Sequence, residues 1–226
     1  MMWRSALTVL LLVSAASPAP LASLTWYAPF FSGGGYCSEA TAFVEGLSRT
    51  ALPLAALQHG DGVSPSYARG LPAARSSLLS ALSSAVSTAA AASLRVVVCH
   101  SEPGAWDVSR ALPARYATAH ACPPADGRRV FAVGRTMFES DRLPDGWAAR
   151  LNGLDEVWVP TDFAARVFAA GGVAPARIVV VPEPVDAAGE FSPAAGAAAA
   201  AAHPVLPPRA AGAPQSPWAP TPRPGR

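Results

Sequence analysis

Six short apolar runs, with helical stretches between them, constrain the fold more than any other feature of this sequence. They are rich in β-branched residues, as in LRVVV, EVWV and IVVV. Continuous runs of this kind are typical of strands buried on both faces, which occur in parallel sheets. Crossovers of this length favour a doubly wound α/β domain, in which ligands bind beyond the carboxyl ends of the strands. The predicted strands cover residues 24–30, 52–57, 94–98, 129–133, 156–159 and 178–181.

Helices are predicted in the intervals between these strands. Residues 38–49 are expected to form a helix with Ser38 as its N-cap. The alanine-, leucine- and serine-rich residues 73–92 are expected to form a second helix. Thr161 is expected to cap a third helix over residues 162–170.

Both ends of the chain depart from this alternation. Residues 1–23 have a positive start at Arg4, an apolar stretch over 6–16 and then small residues and proline. They resemble a secretory signal peptide or an uncleaved signal anchor, with an organellar transit peptide as the alternative. Residues 191–226 hold nine of the 24 prolines and few large apolar side chains. We expect this segment to be disordered, so that the folded domain spans residues 24–190.

Charge and motif content exclude several classes of protein. The 17 basic and 15 acidic residues give a formal charge of +2, which is too balanced for a protein that binds nucleic acid. The chain lacks a Gly-x-Ser-x-Gly elbow and a phosphate loop, and its glycine triplet cannot be completed to a dinucleotide fingerprint. These features argue against a serine hydrolase, a P-loop enzyme and a dehydrogenase.

The three cysteines, Cys37, Cys99 and Cys122, lack the paired spacing of a zinc site. We therefore expect no zinc site at these cysteines. Cys37 and Cys99 follow predicted strands, and a disulfide between them is one alternative if the domain enters an oxidising compartment.

A polar or glycine-rich cluster follows each predicted strand, and all six should meet at one edge of a parallel sheet. Gly33, Gly34 and Gly35 would let a ligand approach the backbone, and the helix that follows offers N–H groups to an anion. The alternative is a plain strand-to-helix turn. His100 would orient a hydroxyl or transfer a proton, or would be a structural histidine.

A further cluster combines Arg135, Glu139 and Asp141 after the fourth predicted strand. Arginine can clamp an anionic or hydroxylated substrate, and carboxylates accept hydrogen bonds from sugar hydroxyls. The alternative is a surface ion-pair network that includes Arg142.

Four short elements follow one another between residues 134 and 186. They are the strand DEVW at 155–158, Pro160-Thr161, Gly172-Val173 and PEPVD at 182–186. Residues 134–186 thereby resemble the second half of the N-terminal domain of group 1 retaining glycosyltransferases with the GT-B fold. In that family a similar strand precedes Pro-Ser/Thr, a helix, a glycine–valine turn and a strand ending in Pro-x-x-Val-Asp. The loops at residues 33–39 and 99–103 also lie where these enzymes place strand-end loops, so the resemblance covers residues 24–190.

The resemblance implies transfer of a sugar from a nucleotide-activated donor to an acceptor, with retention. It implies no cofactor or metal, since the nucleotide-sugar is the donor substrate. The domain would be the Rossmann-like, acceptor-side half of the GT-B fold. Gly33, Gly34 and Gly35 would approach the donor diphosphate, and His100, Arg135 and Glu139 would line the acceptor side. Further candidates for binding the substrate are Glu102, Asp141 and Glu183.

The sequence departs from this family after Asp186, where the family continues into a donor-binding domain with a paired-glutamate motif. Residues 191–226 cannot build such a domain, so we expect a truncated or degenerate enzyme that is inactive alone or uses a separate donor-domain partner. The alternative is a non-catalytic module that binds carbohydrate or protein. An unrelated α/β hydrolase or deaminase is less favoured.

The N-terminal segment also predicts where in the cell the protein is found. A secretory signal predicts the lumen of the ER or Golgi, or secretion, and an anchor would attach the protein to a membrane through residues 6–16. An organellar or cytoplasmic location is the alternative.

Overall fold

The computed structural model describes residues 22–86, 94–106, 121–127, 130–187, 189 and 191–202. Its six strands are β1 (Ala22–Ala28), β2 (Leu54–Gln58), β3 (Leu94–His100), β4 (Val130–Arg135), β5 (Glu156–Val159) and β6 (Ile178–Val180). They form one sheet in the order β2-β1-β3-β4-β5-β6, and every neighbouring pair is parallel. The predicted doubly wound, Rossmann-like α/β fold is confirmed.

Helices connect the strands. Thr161 caps the helix Asp162–Ala170 as predicted, because its Oγ1 accepts a hydrogen bond from the N–H of Ala164 at 3.1 Å. Short 3₁₀ turns follow β3 and precede β6, at Pro103–Ala105 and Pro175–Arg177. The helices of this part of the chain are α1 (Gly35–Leu47), α2 (Pro65–Gly70), α3 (Ala73–Ser84), α4 (Trp147–Leu151) and α5 (Asp162–Ala170).

Successive side chains of each strand alternate between two hydrophobic cores, one on each face of the sheet. On the first face, Val44 of α1 and Leu79 of α3 belong to the same buried cluster as Trp26 of β1. On the second face, Phe168 of α5 is buried in a cluster with Val157 of β5. We call these the α1 face and the α5 face. Burial on both faces explains why the strands read as continuous apolar runs.

The strand order reverses between β1 and β3, because β2 lies on one side of β1 and the later strands follow on the other. At such a switch point, the connections that leave neighbouring strands turn to opposite faces and leave a crevice between them. The crevice lies at the carboxyl ends of the strands, where the sequence predicted that the polar clusters meet.

A disulfide links Cys99 to Cys122, so the alternative of a Cys37–Cys99 bond is wrong. The alternation of side chains along β3 places Cys99 on the α5 face, whereas Cys37 lies in α1 on the opposite face. Cys37 is a buried free thiol that donates a hydrogen bond to the carbonyl of Phe30 at 3.0 Å.

Two boundaries near the N-terminus differ from the prediction. Helix α1 begins three residues early, with Gly34 as its N-cap, so Ser38 lies inside the first turn and does not cap the helix. Strand β1 begins at Ala22, and Ser23 pairs with Arg95 of β3. The last two residues of the predicted targeting segment therefore belong to the sheet, and residues 1–21 lie outside the described residues.

β3 and β4 each extend two residues beyond their predicted carboxyl ends. β3 continues through His100 and β4 continues through Arg135, because both residues pair with each other across the sheet. These two side chains therefore belong to strands and not to loops. The helix predicted over 73–92 is described as α3 up to Ser84, and residues 87–93 lie outside the described part.

The described residues from Val185 onward belong to a second unit. Its described part contains α6 (Pro193–Ala202), a helix within the segment that the sequence predicts to be disordered. Alanine has the highest helix propensity of all residues. Ser192 caps the helix by accepting a hydrogen bond from the N–H of Ala195 at 3.1 Å. Among the described helices, none is both long and apolar enough to cross a membrane.

Candidate functional site

A cleft of about 540 Å³ opens at the carboxyl edge of the sheet. The start of α1, the loops after β3 and β4, and the start of α4 each contribute to its wall. This is the position at which ligands bind in doubly wound folds. The residues that line the cleft are Gly35, Tyr36, Glu102, Met137, Phe138, Glu139, Pro144 and Trp147.

The glycine triplet forms the turn that leads into the cleft. Gly33 has a φ of +79°, a conformation that favours glycine, and a Cβ there would meet the ring of Tyr67 at 3.2 Å. Gly34 is the N-cap of α1, and its N–H donates to the Ser32 hydroxyl at 3.2 Å. Gly35 lines the cleft, and no atom lies within 4 Å of the place where its Cβ would be. The first N–H groups of a helix have no acceptor within the helix, so the backbone at Gly35 can donate to a ligand.

Aromatic rings form one wall of the cleft. Phe138 and Trp147 meet edge to face with their ring centroids 5.3 Å apart. Trp147 is buried against Phe168 of α5, so the ring position is fixed by the core of the α5 face. The cleft therefore offers a rigid apolar surface beside its polar groups.

Tyr36 joins α1 to the loop after β4. Its hydroxyl donates to the carbonyl of Met137 at 2.9 Å and lies 3.1 Å from the hydroxyl of Thr136. Burial raises the pKa of the phenol, although these hydrogen bonds oppose the rise. The phenol therefore remains neutral at physiological pH and holds its ring at the cleft.

Two of the predicted substrate-binding carboxylates line the cleft. Glu102 follows β3 and Glu139 follows β4, and Glu139 is exposed. Asp141 lies outside the lining, where it is exposed and 3.7 Å from the guanidinium of Arg142. Glu183 is exposed after β6, two strands away from β4, and does not line the cleft.

Beneath the cleft, Glu39 of α1 joins His100 and Arg135 in a buried network on the α1 face. His100 Nε2 lies 2.8 Å from Glu39 Oε2. The Arg135 guanidinium donates to Glu39 Oε1 through Nε at 3.0 Å and through its Nη2. The side chains of His100 and Arg135 are 0% exposed and that of Glu39 is 3% exposed. We call these three residues the Glu39 network.

The hydrogen bonds of the Glu39 network fix the state of His100. The indole N–H of Trp26 donates to His100 Nδ1 at 3.1 Å, so Nε2 carries the proton and donates to Glu39. Burial lowers the pKa of His100, and the Arg135 charge lowers it further, against the opposing effect of Glu39. Burial alone would raise the pKa of Glu39, but His100 and Arg135 together hold it below its usual value. The network therefore consists of a neutral imidazole, a carboxylate and a guanidinium.

Arg135 also connects α1 to the end of β6. Its Nη1 donates to the carbonyl of Val181 at 2.6 Å, and its guanidinium lies 5.4 Å from the ring centroid of Phe43 in α1. Every charge in the network thus has a partner, as buried charges require. The Glu39 network positions the first turns of α1 against β3 and β4, and thereby positions Gly35 and Tyr36 at the cleft.

Only some of the predicted site residues line the cleft. Glu102, Glu139 and Gly35 line it, whereas Asp141 and Glu183 are exposed outside it. His100 and Arg135 lie beneath the cleft and do not line an acceptor side. The physical reason is that both end their strands on the α1 face, where α1 covers them. The described residues contain no group of three or more His, Cys, Asp or Glu side chains that could hold a metal ion.

Sequence reasoning missed the aromatic wall and the role of Glu39. The spacing along the helix could have predicted that Glu39 is buried. Glu39 lies three residues after Tyr36 and four before Phe43, on the face of α1 that packs on the sheet. A carboxylate on a buried helix face requires a buried cation or donor as its partner. Phe138 and Trp147 carry no comparable signal, since aromatic residues in loops and short helices are most often core residues.

Comparisons with protein-family models, with curated proteins and with solved structures find no match to this chain. The function is therefore inferred from the cleft and from the sequence resemblance.

Proposed function

We propose that this domain is the acceptor-side half of a retaining glycosyltransferase with the GT-B fold, and that the cleft binds the acceptor sugar. One observation carries the proposal: the cleft at the switch point combines a glycine-led helix N-terminus, two carboxylates and an aromatic wall. Sugars present hydroxyl groups around their edge and C–H groups on their faces. Carboxylates accept hydrogen bonds from the hydroxyls, and aromatic rings cover the faces.

Each part of the cleft has a role in this proposal. Glu102 and Glu139 accept hydrogen bonds from acceptor hydroxyls and orient the one that attacks. The partly exposed ring of Phe138 covers a sugar face and excludes water from it, and the buried ring of Trp147 holds Phe138 in place. Gly35 donates its N–H toward the diphosphate of the nucleotide-sugar, whose nucleotide is held by a second domain on this polypeptide or on a partner. His100 and Arg135 contact no substrate and keep α1 in place.

The proposal includes entry into the secretory pathway. The Cys99–Cys122 disulfide supports it, because disulfides form and persist in oxidising compartments. Residues 1–23, which resemble a signal peptide, also support entry into the secretory pathway.

The second candidate is a non-catalytic module that binds carbohydrate through the same cleft. The position of Glu102 and Glu139 beside Gly35 favours it, because two carboxylates repel a diphosphate. Both candidates predict that the cleft binds a sugar, but only the glycosyltransferase is expected to bind a nucleotide-sugar.

The first experiment measures binding of the protein to an array of oligosaccharides, followed by titration calorimetry on the best ligand. We expect Glu139→Gln to weaken that binding about tenfold, because a hydrogen bond to a charged group contributes about 1.5–3 kcal/mol. Glu183→Gln is the matched control, since Glu183 is an exposed carboxylate that does not line the cleft. Failure to bind any oligosaccharide, or equal losses in both variants, would contradict the proposal.

A second experiment separates the enzyme from the binding module. Amide signals in NMR spectra are followed while UDP-glucose or GDP-mannose is added. A glycosyltransferase half should show shifts at Gly35 and Tyr36, and Gly35→Ala should reduce the affinity. Gly46→Ala is the control, because Gly46 lies in the same helix with open space around it and outside the cleft. Unchanged signals with every nucleotide-sugar would favour the module.

A further inference from the structure

We propose that the acceptor bound in the cleft is a glycoside whose aglycone is an aromatic ring. This inference rests on the proposed function, because it names the class of acceptor that the same cleft takes. The apolar side chains of the lining, the loop that holds them and the size of the cleft together support it.

An apolar strip crosses the cleft from α1 to α4. The Tyr36 hydroxyl donates to the carbonyl of Met137 at 2.9 Å, which brings the start of α1 beside the loop after β4. Phe138 follows Met137 in the chain and meets Trp147 edge to face. The N–H of Trp147 donates to the carbonyl of Pro144 at 3.2 Å, so Pro144 lies in the turn that begins α4. The partly exposed members of the lining, which we call the apolar strip, are Tyr36, Met137, Phe138 and Pro144.

Buried side chains hold the loop after β4 in place. A Cβ placed at Gly171, after the end of α5, would lie 2.6 Å from Leu143 Cδ1, so Leu143 packs directly on that glycine. Trp147 packs on Phe168 of α5 with the ring centroids 6.5 Å apart. Both ends of segment 143–147 are therefore fixed to the core of the α5 face. The apolar strip is thus formed before a ligand arrives, which reduces the cost of binding.

The apolar strip does not match an unsubstituted sugar. A sugar hydroxyl placed against the side chains of Met137 or Pro144 would lose hydrogen bonds to water and gain no good acceptor or donor in return. In the proposed function the carboxylates of the lining accept hydrogen bonds from the sugar, but the strip requires apolar surface in the ligand. A glycoside with an apolar aglycone satisfies both parts of the lining.

The chemistry of the strip favours an aromatic aglycone over an aliphatic one. Aromatic rings that meet offset or edge to face gain more than their buried area alone provides, and Tyr36 and Phe138 offer two such rings. The thioether of Met137 also makes favourable contacts with the edges of aromatic rings. The volume of about 540 Å³ lies within the range of about 300–1,000 Å³ that is typical of sites for drug-sized ligands. The cleft therefore has room for an aromatic ring beside a sugar ring.

Matched sets of glycosides test this inference. The methyl, cyclohexyl and phenyl glycosides of glucose, galactose, mannose, xylose and N-acetylglucosamine are titrated by calorimetry, in both anomers. For the sugar that binds most tightly, we expect the phenyl glycoside to bind about tenfold more tightly than the methyl glycoside, because the ring buries additional apolar surface. The cyclohexyl glycoside should bind about threefold more weakly than the phenyl glycoside, because it lacks the contacts between aromatic rings.

Four variants connect these preferences to the apolar strip. Phe138→Leu keeps an apolar contact and removes the ring, so it should reduce the preference for phenyl over cyclohexyl. Phe163→Leu is the matched control, since Phe163 is 51% exposed and does not line the cleft. Met137→Gln adds a polar amide to the strip and should reduce the preference for phenyl over methyl. Glu139→Gln should weaken the methyl and phenyl glycosides by the same factor and leave their ratio unchanged. Urea unfolding confirms that each variant folds.

The outcomes distinguish this inference from the proposed function. Equal affinity for the methyl and phenyl glycosides overturns the aromatic aglycone and leaves a carbohydrate cleft. Equal affinity for the cyclohexyl and phenyl glycosides also overturns it, since any apolar group would then serve, as do equal losses of preference in Phe138→Leu and Phe163→Leu. If phenol binds as tightly as the phenyl glycosides, or if no glycoside and no arrayed oligosaccharide binds, both the inference and the proposed function fail.

Discussion

The Glu39 network and the cleft lie at the same edge of the sheet, yet their polar side chains have opposite environments. His100 and Arg135 are fully buried, whereas Glu139 is exposed only four residues beyond Arg135. Glu102 lies two residues beyond His100 and lines the cleft. The last residue of a strand is covered by the helix above it, while the loop beyond the strand turns into the crevice. A polar residue at the end of a strand can thus stabilise the fold as readily as it can bind a ligand.

The difference has an energetic basis. A buried charge destabilises a protein unless it is paired and hydrogen-bonded, and every charge in the Glu39 network has such partners. An exposed carboxylate such as Glu139 keeps most of its hydration and costs the fold little. The Glu39 network therefore contributes to the stability of the fold, whereas the exposed Glu139 can contact a ligand.

The largest expected effect comes from removing the carboxylate at the centre of the network. Glu39→Ala leaves the Arg135 guanidinium buried without its counter-ion, and we expect a loss of about 3–5 kcal/mol in the free energy of unfolding. Glu139→Ala should change it by less than about 0.5 kcal/mol. Urea unfolding measures both. If Glu39→Ala does not fold, Glu39→Gln gives the milder test, and equal effects at positions 39 and 139 would remove the distinction between network and cleft.

The next effect concerns the disulfide, which lies one residue from the network but on the α5 face. Cys99 and Cys122 are 23 residues apart, and the bond between them should contribute about 3 kcal/mol to the free energy of unfolding. Dithiothreitol should therefore lower the urea midpoint of the wild type. It should leave a Cys99→Ala/Cys122→Ala double variant unchanged, which controls for Cys37. A wild-type midpoint that is insensitive to the reductant would contradict the assignment.

Much of the fold could be predicted from the sequence, because it depends on patterns that are local along the chain. The apolar runs EVWV and LRVVV indicated buried parallel strands, and Thr161 marked the start of α5 correctly. The helix start at Gly35 was missed because Ser38 is a better cap by residue type. The cap that forms depends on where the chain leaves β1, which is a tertiary effect.

For the site, only its position at the edge of the sheet could be predicted from the sequence. That the polar clusters meet at one edge follows from parallel strands and needs no side-chain geometry. Successive side chains of β3 point to opposite faces of the sheet. A shift of one residue in the strand therefore decides whether His100 faces a ligand or a helix. The alternative of a Cys37–Cys99 disulfide is wrong for the same reason, since the pleat places Cys99 on the α5 face.

A smaller effect is the dependence of stability on pH. Burial lowers the pKa of His100 in the folded protein, so below about pH 6.5 the unfolded state binds a proton that the folded state does not. The free energy of unfolding should therefore fall on acidification, by at most about 1.4 kcal/mol per pH unit from this group. The pKa of Glu39 is lowered in the folded protein, so this group further reduces the free energy of unfolding below about pH 4.5. Urea midpoints between pH 5 and 8 should show a shallower slope in His100→Gln than in the wild type, and an unchanged slope in Glu139→Gln. Identical slopes in all three proteins would remove His100 from the network.

The smallest effect compares the two ends of α1, one at the cleft and one away from it. Gly46 is exposed in the last turn of α1, and nothing lies within 4 Å of a Cβ placed there. Gly46→Ala should raise the free energy of unfolding by about 0.5–1 kcal/mol, because alanine loses less entropy in a helix than glycine does. Gly35→Ala should be neutral or slightly stabilising by the same measurement, since Gly35 also has open space. Only Gly35→Ala places a methyl group at the cleft, so only this variant should weaken ligand binding. Destabilisation by Gly35→Ala would mean that the glycine is required by the turn into α1, and the case for an open backbone at the cleft would then be lost.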